Sequence, residues 1–399
     1  MATIEPMSSI MGTASKDIQQ KYIAQNKLIN EEYKLWKKTS PLLYSTIVSY
    51  STSVPTLSLK WLPHSIIGNK LHASFLVGTN GDINRVKLMS LDLPSNIIED
   101  QVSDPFPLYS GETGPIKTER EWVHPGEVNK IDVNSNGSHF ATHTNSGDVL
   151  IYDLSKENNT QVSTLKYHTK EGFGLEWHSD SKRLLSTAED SHIALWDLTT
   201  ISNTSKPQQT FNTHEGNVND ISWNKSFDTV FASVSDDSTY QIHDTRYNSG
   251  PIIHVTAVEG HSLTSVDFNS EIPTLFATGS TDCGIQLWDL RNPTVPLRKL
   301  QAHTGGVTGL EWKENWIMSW GLDRRVMIWD VNKLDEGEVD RRKSEVVDPC
   351  LRFVHGGHTG KVLDAGWGPG VIVSADDTLI EVWGVQGLDE EYTEEIKEE

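Results

Sequence analysis

Apolar and polar positions fall into two regimes along the chain. From about residue 120 to residue 385, short apolar runs such as "LLSTA", "VFASVS", "LFATGS" and "VIVSA" are bounded by turn-forming residues. Runs of that length between turn signals predict buried inner strands. Upstream, "SKDIQQKYIAQNKLINEEYKLWKKTSPLLY" has a helical period, with Ile29, Tyr33 and Trp36 at i, i+4 and i+7 and with Ile18 and Tyr22 extending the stripe. Glu31 and Glu32 precede Lys34, Lys37 and Lys38, the order that suits the helix dipole. Pro41 is expected to stop this helix and to open another, with Ser40 as its N-cap.

The strand-rich part repeats. "ALWDL" ends at Leu198, "QLWDL" at Leu290 and "MIWDV" at Val331. Weaker copies are "LIYDL" at Leu154, "QIHDT" at Thr245, "EVWGV" at Val385 and "SLDL" at Leu93, which makes seven. Most spacings are about 41 to 47 residues, the period of four-stranded propeller blades. His124, His168, His214, His261, His303 and His358 each precede the W-D position by roughly 26 to 30 residues. Asp190, Asp237, Asp282, Asp323 and Asp377 lie six positions before the W position. Residues that recur in every unit are structural partners, because buried polar groups need hydrogen bonds. That recurrence removes most His and Asp residues from any list of metal ligands or catalytic groups.

The pattern predicts an all-β chain, a seven-bladed WD-repeat β-propeller with a long N-terminal α-helix packed on its side. Residues 1–14 are expected to be disordered and 15–50 to form the helical segment. The propeller is expected over 51–386, with a binding-loop insertion at 332–352, and an acidic tail over 387–399. Closure of the ring needs one more strand for the last blade, and "TLSLKWLP", Thr56 to Pro63, is expected to supply it.

Composition narrows the function. The formal net charge is −21, which argues against a general nucleic-acid binder and permits a basic partner. Two cysteines cannot make a disulfide framework, no stretch is long and apolar enough for a membrane span, and no secretory signal opens the chain. Most of the 13 Trp are absorbed as blade core. HExxH, GxxxxGK[ST], GxSxG and CxxC are absent. Neither an enzyme, a metal site nor a cofactor is expected.

"INEEYKLWKK", "PLLY", "WLP", "GEVN", "KEGFGLEW", "LDRRVMIWD" and "FVHGGHTGKV" follow in order. Together they resemble the retinoblastoma-associated histone-binding WD-repeat family, which includes the small subunits of type B histone acetyltransferase and of chromatin assembly factor. The resemblance implies a groove between the N-terminal helix and the long loop that takes the first helix of histone H4. It maps that groove onto Leu42, Leu43, Tyr44, Glu345, Asp348, Leu351, Phe353 and Val354, with Glu345 and Asp348 facing histone arginines. A second implied site, for the histone H3 tail on the top face, maps onto Glu127, Asn129, Glu171, Phe173 and Asp236. This chain departs from the family in two places. Its loop reads "RRKSEVVDPC" where relatives are more acidic, and Gly306 and Thr308 stand where they carry an acid and an aromatic.

The function so implied is a non-catalytic histone-binding subunit, most naturally of type B histone acetyltransferase, found in nucleus and cytoplasm. Its implied partners are H4, H3 and a catalytic acetyltransferase or chromatin assembly subunits, with no direct nucleic acid or membrane contact. The alternatives are a subunit of chromatin assembly factor or of a deacetylase complex, or a WD-repeat adaptor with no histone role.

Overall fold

The structure, a computed structural model, describes residues 27–67, 70–94, 113–156, 161–201, 206–247, 250–334 and 348–386. Seven antiparallel sheets are arranged in chain order as blades, six of them four-stranded and one five-stranded. The inner strands are Thr56–Trp61, Val128–Val133, Gly174–Trp177, Val218–Trp223, Leu263–Phe268, Val307–Lys313 and Asp364–Trp367, defining blades 1 to 7.

Core packing lies between blades. Seven apolar clusters each join residues of two neighbouring blades. One of them spans the seam, where Leu59, Phe75 and Leu91 of blade 1 meet Val371, Val373 and Ile380 of blade 7. Each blade has two apolar faces, so none can bury itself alone, and the ring is the smallest unit that satisfies all of them.

A second circuit runs around the central channel. The inner strand of each blade offers an oxygen to a backbone N–H of the next. Ser58 Oγ accepts from Ile131, Asp132 from Trp177, Glu176 from Trp223, and Asp220 from Val266. Asp267 then accepts from Trp312, Glu311 from Trp367, and Asp364 from Leu59, which closes the circle. Lys60 pairs with Asp132 at 3.0 Å, and Lys225 pairs with Glu176. Burial lifts the Asp220 carboxyl to about 7 despite Lys130 nearby.

The N-terminal part does close the ring, but through a different strand from the one expected. Tyr44–Ser51 pairs antiparallel with Leu379–Val385 and forms the outer edge of blade 7. Thr56–Trp61 is instead the inner strand of blade 1. The burial pattern explains the exchange. Thr56, Ser58 and Leu59 are all buried, so this strand is covered on both faces, whereas Tyr44–Ser51 buries only alternate positions. The propeller therefore begins at Tyr44, inside the segment assigned above to the helix.

The predicted polar network is complete in three blades with a Trp and in one with a His. In blade 3 the Trp196 indole N–H donates to Ser186 Oγ, which pairs with His168 Nε2, and His168 Nδ1 meets Asp190. Blade 6 repeats this with Trp329, Ser319, His303 and Asp323, and blade 4 with His243 in place of Trp. In blade 7 the carboxylate is Asp376, not Asp377, and it is fully buried against His358. Asp376 sits one residue nearer the strand end, and a one-residue change of register exchanges the faces of a strand. Blade 5 lacks the network. His261 is exposed, and Asp282 pairs with Lys299 and Ser280. In blade 2 His124 reaches Thr142 and the Gly126 carbonyl.

Candidate functional site

One helix, residues 27–43, lies against the side of the ring. It does not stop at Pro41, and Ser40 caps no second helix. Proline has no N–H for the carbonyl four residues back, and the Ser40 hydroxyl donates to that carbonyl, Lys37 O, at 3.3 Å. The helix therefore runs directly into the strand that closes blade 7.

Its inner face carries the stripe read from the sequence, with Ile29, Tyr33 and Trp36 half-buried. Trp36 leads into a buried chain of hydrogen bonds. Its indole N–H donates to the Tyr44 hydroxyl at 2.8 Å, and that hydroxyl lies 2.9 Å from His355 Nδ1. His355 Nε2 lies 2.9 Å from Glu381 Oε2, and Ser49 donates to Glu381 Oε1 at 3.0 Å. One proton arrangement satisfies every member. Tyr44 accepts from Trp36 and donates to Nδ1, so His355 carries its proton on Nε2, toward the carboxylate. Burial holds the His355 imidazole down at about 4, so it is neutral at physiological pH. Burial alone would raise Glu381, but the hydrogen bond from His355 outweighs it and keeps the carboxyl below its ordinary value.

Two further contacts seat the helix. Glu32 receives Arg324 at 3.1 Å and Arg325 at 3.0 Å from the top turn of blade 6. Gly357 lets Trp36 approach, since a Cβ there would lie 2.2 Å from Glu381 Oε2, 2.8 Å from Trp36 and 2.9 Å from His355. None of these three can move without breaking the chain of hydrogen bonds. Gly357→Ala should therefore destabilise the fold by about 1–3 kcal/mol through overpacking and loosen the helix. Amide exchange across 27–43 is the check, and an unchanged protection pattern would show that the approach is not needed.

His355, His358 and Glu381 are the single cluster among the described residues with metal-ligand spacing. Both nitrogens of each imidazole already have protein partners: Tyr44 and Glu381 for His355, and Asp376 and Ser374 for His358. The geometry is that of a closed structural network.

The other flank of the helix is exposed. Leu28, Leu35 and Leu42 recur every seven residues and are 55%, 65% and 78% exposed, with Leu43 at 42%. Sequence reasoning looked for the buried stripe and passed over this one, although its period was readable.

The expected groove residues divide. Leu42 and Leu43 are on this open flank, and Val354 is exposed on the outer strand of blade 6, Leu351–His355. Leu351 packs on the core between blades 5 and 6. Tyr44 is buried, and Phe353 stacks on Trp383 with centroids 5.9 Å apart. Asp348 is not a free rim carboxylate. It pairs with Arg298 at 3.0 Å, with both side chains largely covered, and caps the N–H of Cys350. Glu345 lies outside the described residues.

The top-face residues come together. Asn129, Phe173 and Asp236 line a cavity of about 430 Å³ at one mouth of the channel, with Asp220, Asp364 and Trp320. Glu171 accepts from Asn129 at 3.4 Å, and Glu127 accepts from Asn80 at 3.1 Å. Asp236 accepts from Asn217 and Asn219. Thr308 and Gly309 leave the Trp320 indole bare in this cavity, and its buried N–H has no partner.

Comparison with known proteins adds to this geometry. Residues 31–95 match the family described as histone-binding protein RBBP4 or its counterpart in the CAF1 complex. Residues 159–197, 205–244, 252–289 and 294–330 match the WD domain, G-beta repeat. The chain is 31% identical to a protein of Candida glabrata named histone acetyltransferase type B subunit 2, over 89% of this chain and 88% of that one. It is 28% identical to the protein of the same name from Debaryomyces hansenii, over 90% and 91%.

Proposed function

This chain belongs to the RBBP4-like WD-repeat family of the histone acetyltransferase type B subunit 2 proteins, and on that premise we propose that it is a non-catalytic histone-binding subunit of a type B acetyltransferase. It holds H4 in the nuclear and cytoplasmic pool and presents the tail to the catalytic subunit. The observation that carries this reading is the open leucine flank of the helix beside Val354, within or next to the residues matched by the histone-binding family. An amphipathic helix binds such a surface through apolar residues spaced three or four apart. Tethering raises the effective concentration of substrate at the partner and needs no chemistry from the propeller.

The test is calorimetric titration with a peptide covering the first helix of H4. Leu43→Ala should weaken binding by about 1–3 kcal/mol with little change in melting temperature, because Leu43 is exposed. Phe353→Ala should lower stability as well, because Phe353 stacks within the core between blades 6 and 7. Undiminished H4 binding by Leu43→Ala would remove the helix flank from the site.

The acidic cavity at the channel mouth supports a second reading, a site for a basic H3 tail. Asp220, Asp236 and Asp364 line it, and Phe173 is exposed at its edge. A lysine or arginine side chain matches that chemistry.

A further inference from the structure

The leucine flank is wide open among the described residues, and the chain leaves the propeller beside it. The backbone N–H of Gln386 donates to the carbonyl of Leu43 at 3.0 Å. Residues 387–399 thus start at the C-terminal end of the helix, next to Leu42 and Leu43. Their sequence is "GLDEEYTEEIKEE", with Leu388, Tyr392 and Ile396 four residues apart. On a helix these three share one face, and the seven acidic side chains cover the rest. As a helix the segment would be about 20 Å long, against about 25 Å for residues 27–43. The charges also match. The helix carries Lys27, Lys34, Lys37 and Lys38, while its Glu32 is taken by Arg324 and Arg325.

We propose that the acidic C-terminal segment is the resting occupant of the leucine flank. It folds back antiparallel to the helix with Leu388 near Leu43 and Ile396 toward Leu35, and any ligand of the groove must displace it. A tether this short gives an effective concentration on the order of millimolar, so weak contacts suffice to hold the segment in place. Occupancy by the segment also supplies the negative charge that the "RRKSEVVDPC" loop lacks. The displacement step rests on the histone reading above, but the docking itself does not.

The experiment uses the full chain and a full-length L388S/Y392S/I396S variant. The substitutions lie beyond the last strand, Leu379–Val385, so the propeller is untouched. First, a peptide of residues 387–399 is titrated into the variant without histone. Saturable binding that weakens with salt and is lost when Leu35→Ser is added is expected. Amide exchange over 27–43 should be faster in the variant than in the parent. Second, the H4 first-helix peptide should bind the variant about tenfold tighter if the segment covers the flank nine-tenths of the time. Absent peptide binding together with equal exchange overturns the proposal. Weaker H4 binding by the variant also overturns it, since the segment would then assist the ligand. A parent that is dimeric and a variant that is monomeric would move the contact between copies and end the intramolecular form. Peptide binding with no H4 binding by either chain upholds the docking and rejects the histone reading.

Discussion

Lowering the pH from 7.5 to 5.5 should cost the propeller roughly 4 kcal/mol of stability, well before its carboxylates titrate. The effect comes from three fully buried histidines. Burial holds His143 and His243 down at about 3, each with a second imidazole nearby that adds to the shift, and holds His355 at about 4. In the unfolded chain each returns to about 6.5. Below that value the unfolded state binds a proton that the folded state refuses, so stability is full above about pH 6.5 and falls as the pH drops. The loss is about 1.4 kcal/mol per histidine for each unit of pH, and it ends for each one as the pH reaches its folded value. Asp180 and Asp376, held at about 2 in the folded chain, act in a lower window. Their contribution is present above about pH 4 and is lost as the pH falls toward 2. Urea unfolding at half-unit steps should therefore give two descending stages. His243→Gln should remove about a third of the upper slope. A midpoint that is flat from pH 7.5 to 5.5 would mean that these imidazoles are not neutral and buried.

Glu381→Ala should destabilise the protein by roughly 3–5 kcal/mol, the scale of breaking a buried hydrogen-bonded pair from one side. Glu381 and His355 are both fully buried. Removal of the carboxylate leaves the His355 Nε2–H and the Ser49 hydroxyl without their acceptor. His355 cannot move its proton to Nδ1 without facing the Tyr44 hydroxyl, which in turn holds Trp36. The disturbance should therefore travel to the helix, and exchange over 27–43 should accelerate more than exchange in blade 3. A loss of stability below about 1 kcal/mol, the usual net worth of one hydrogen bond, would show that the chain of bonds is not cooperative.

The blades were legible because each repeats the same phrase, and a period survives the variation of single residues. What lay between phrases was harder to read. The closing strand was misplaced because "TLSLKW" and "YSTIVSY" both read as strands, and only burial on two faces separates an inner strand from an outer one. Asp376 and Asp377 are adjacent, and sequence spacing favoured the wrong one by a single residue. The bond between Tyr44 and His355 joins positions 311 apart, beyond the reach of any local pattern. Asp348 looked like a free acid because Arg298, which neutralises it, belongs to the preceding blade.

The helix and the strand that closes blade 7 are one uninterrupted piece of chain, with no linker between residue 43 and Tyr44. Such a connection works as a lever on a hoop. A ligand that prises the helix outward pulls on the clasp of the hoop, whereas one that presses it inward tightens the clasp. Gripping cargo and keeping the ring shut are thus the same movement, and a loaded subunit should resist forced opening better than an empty one.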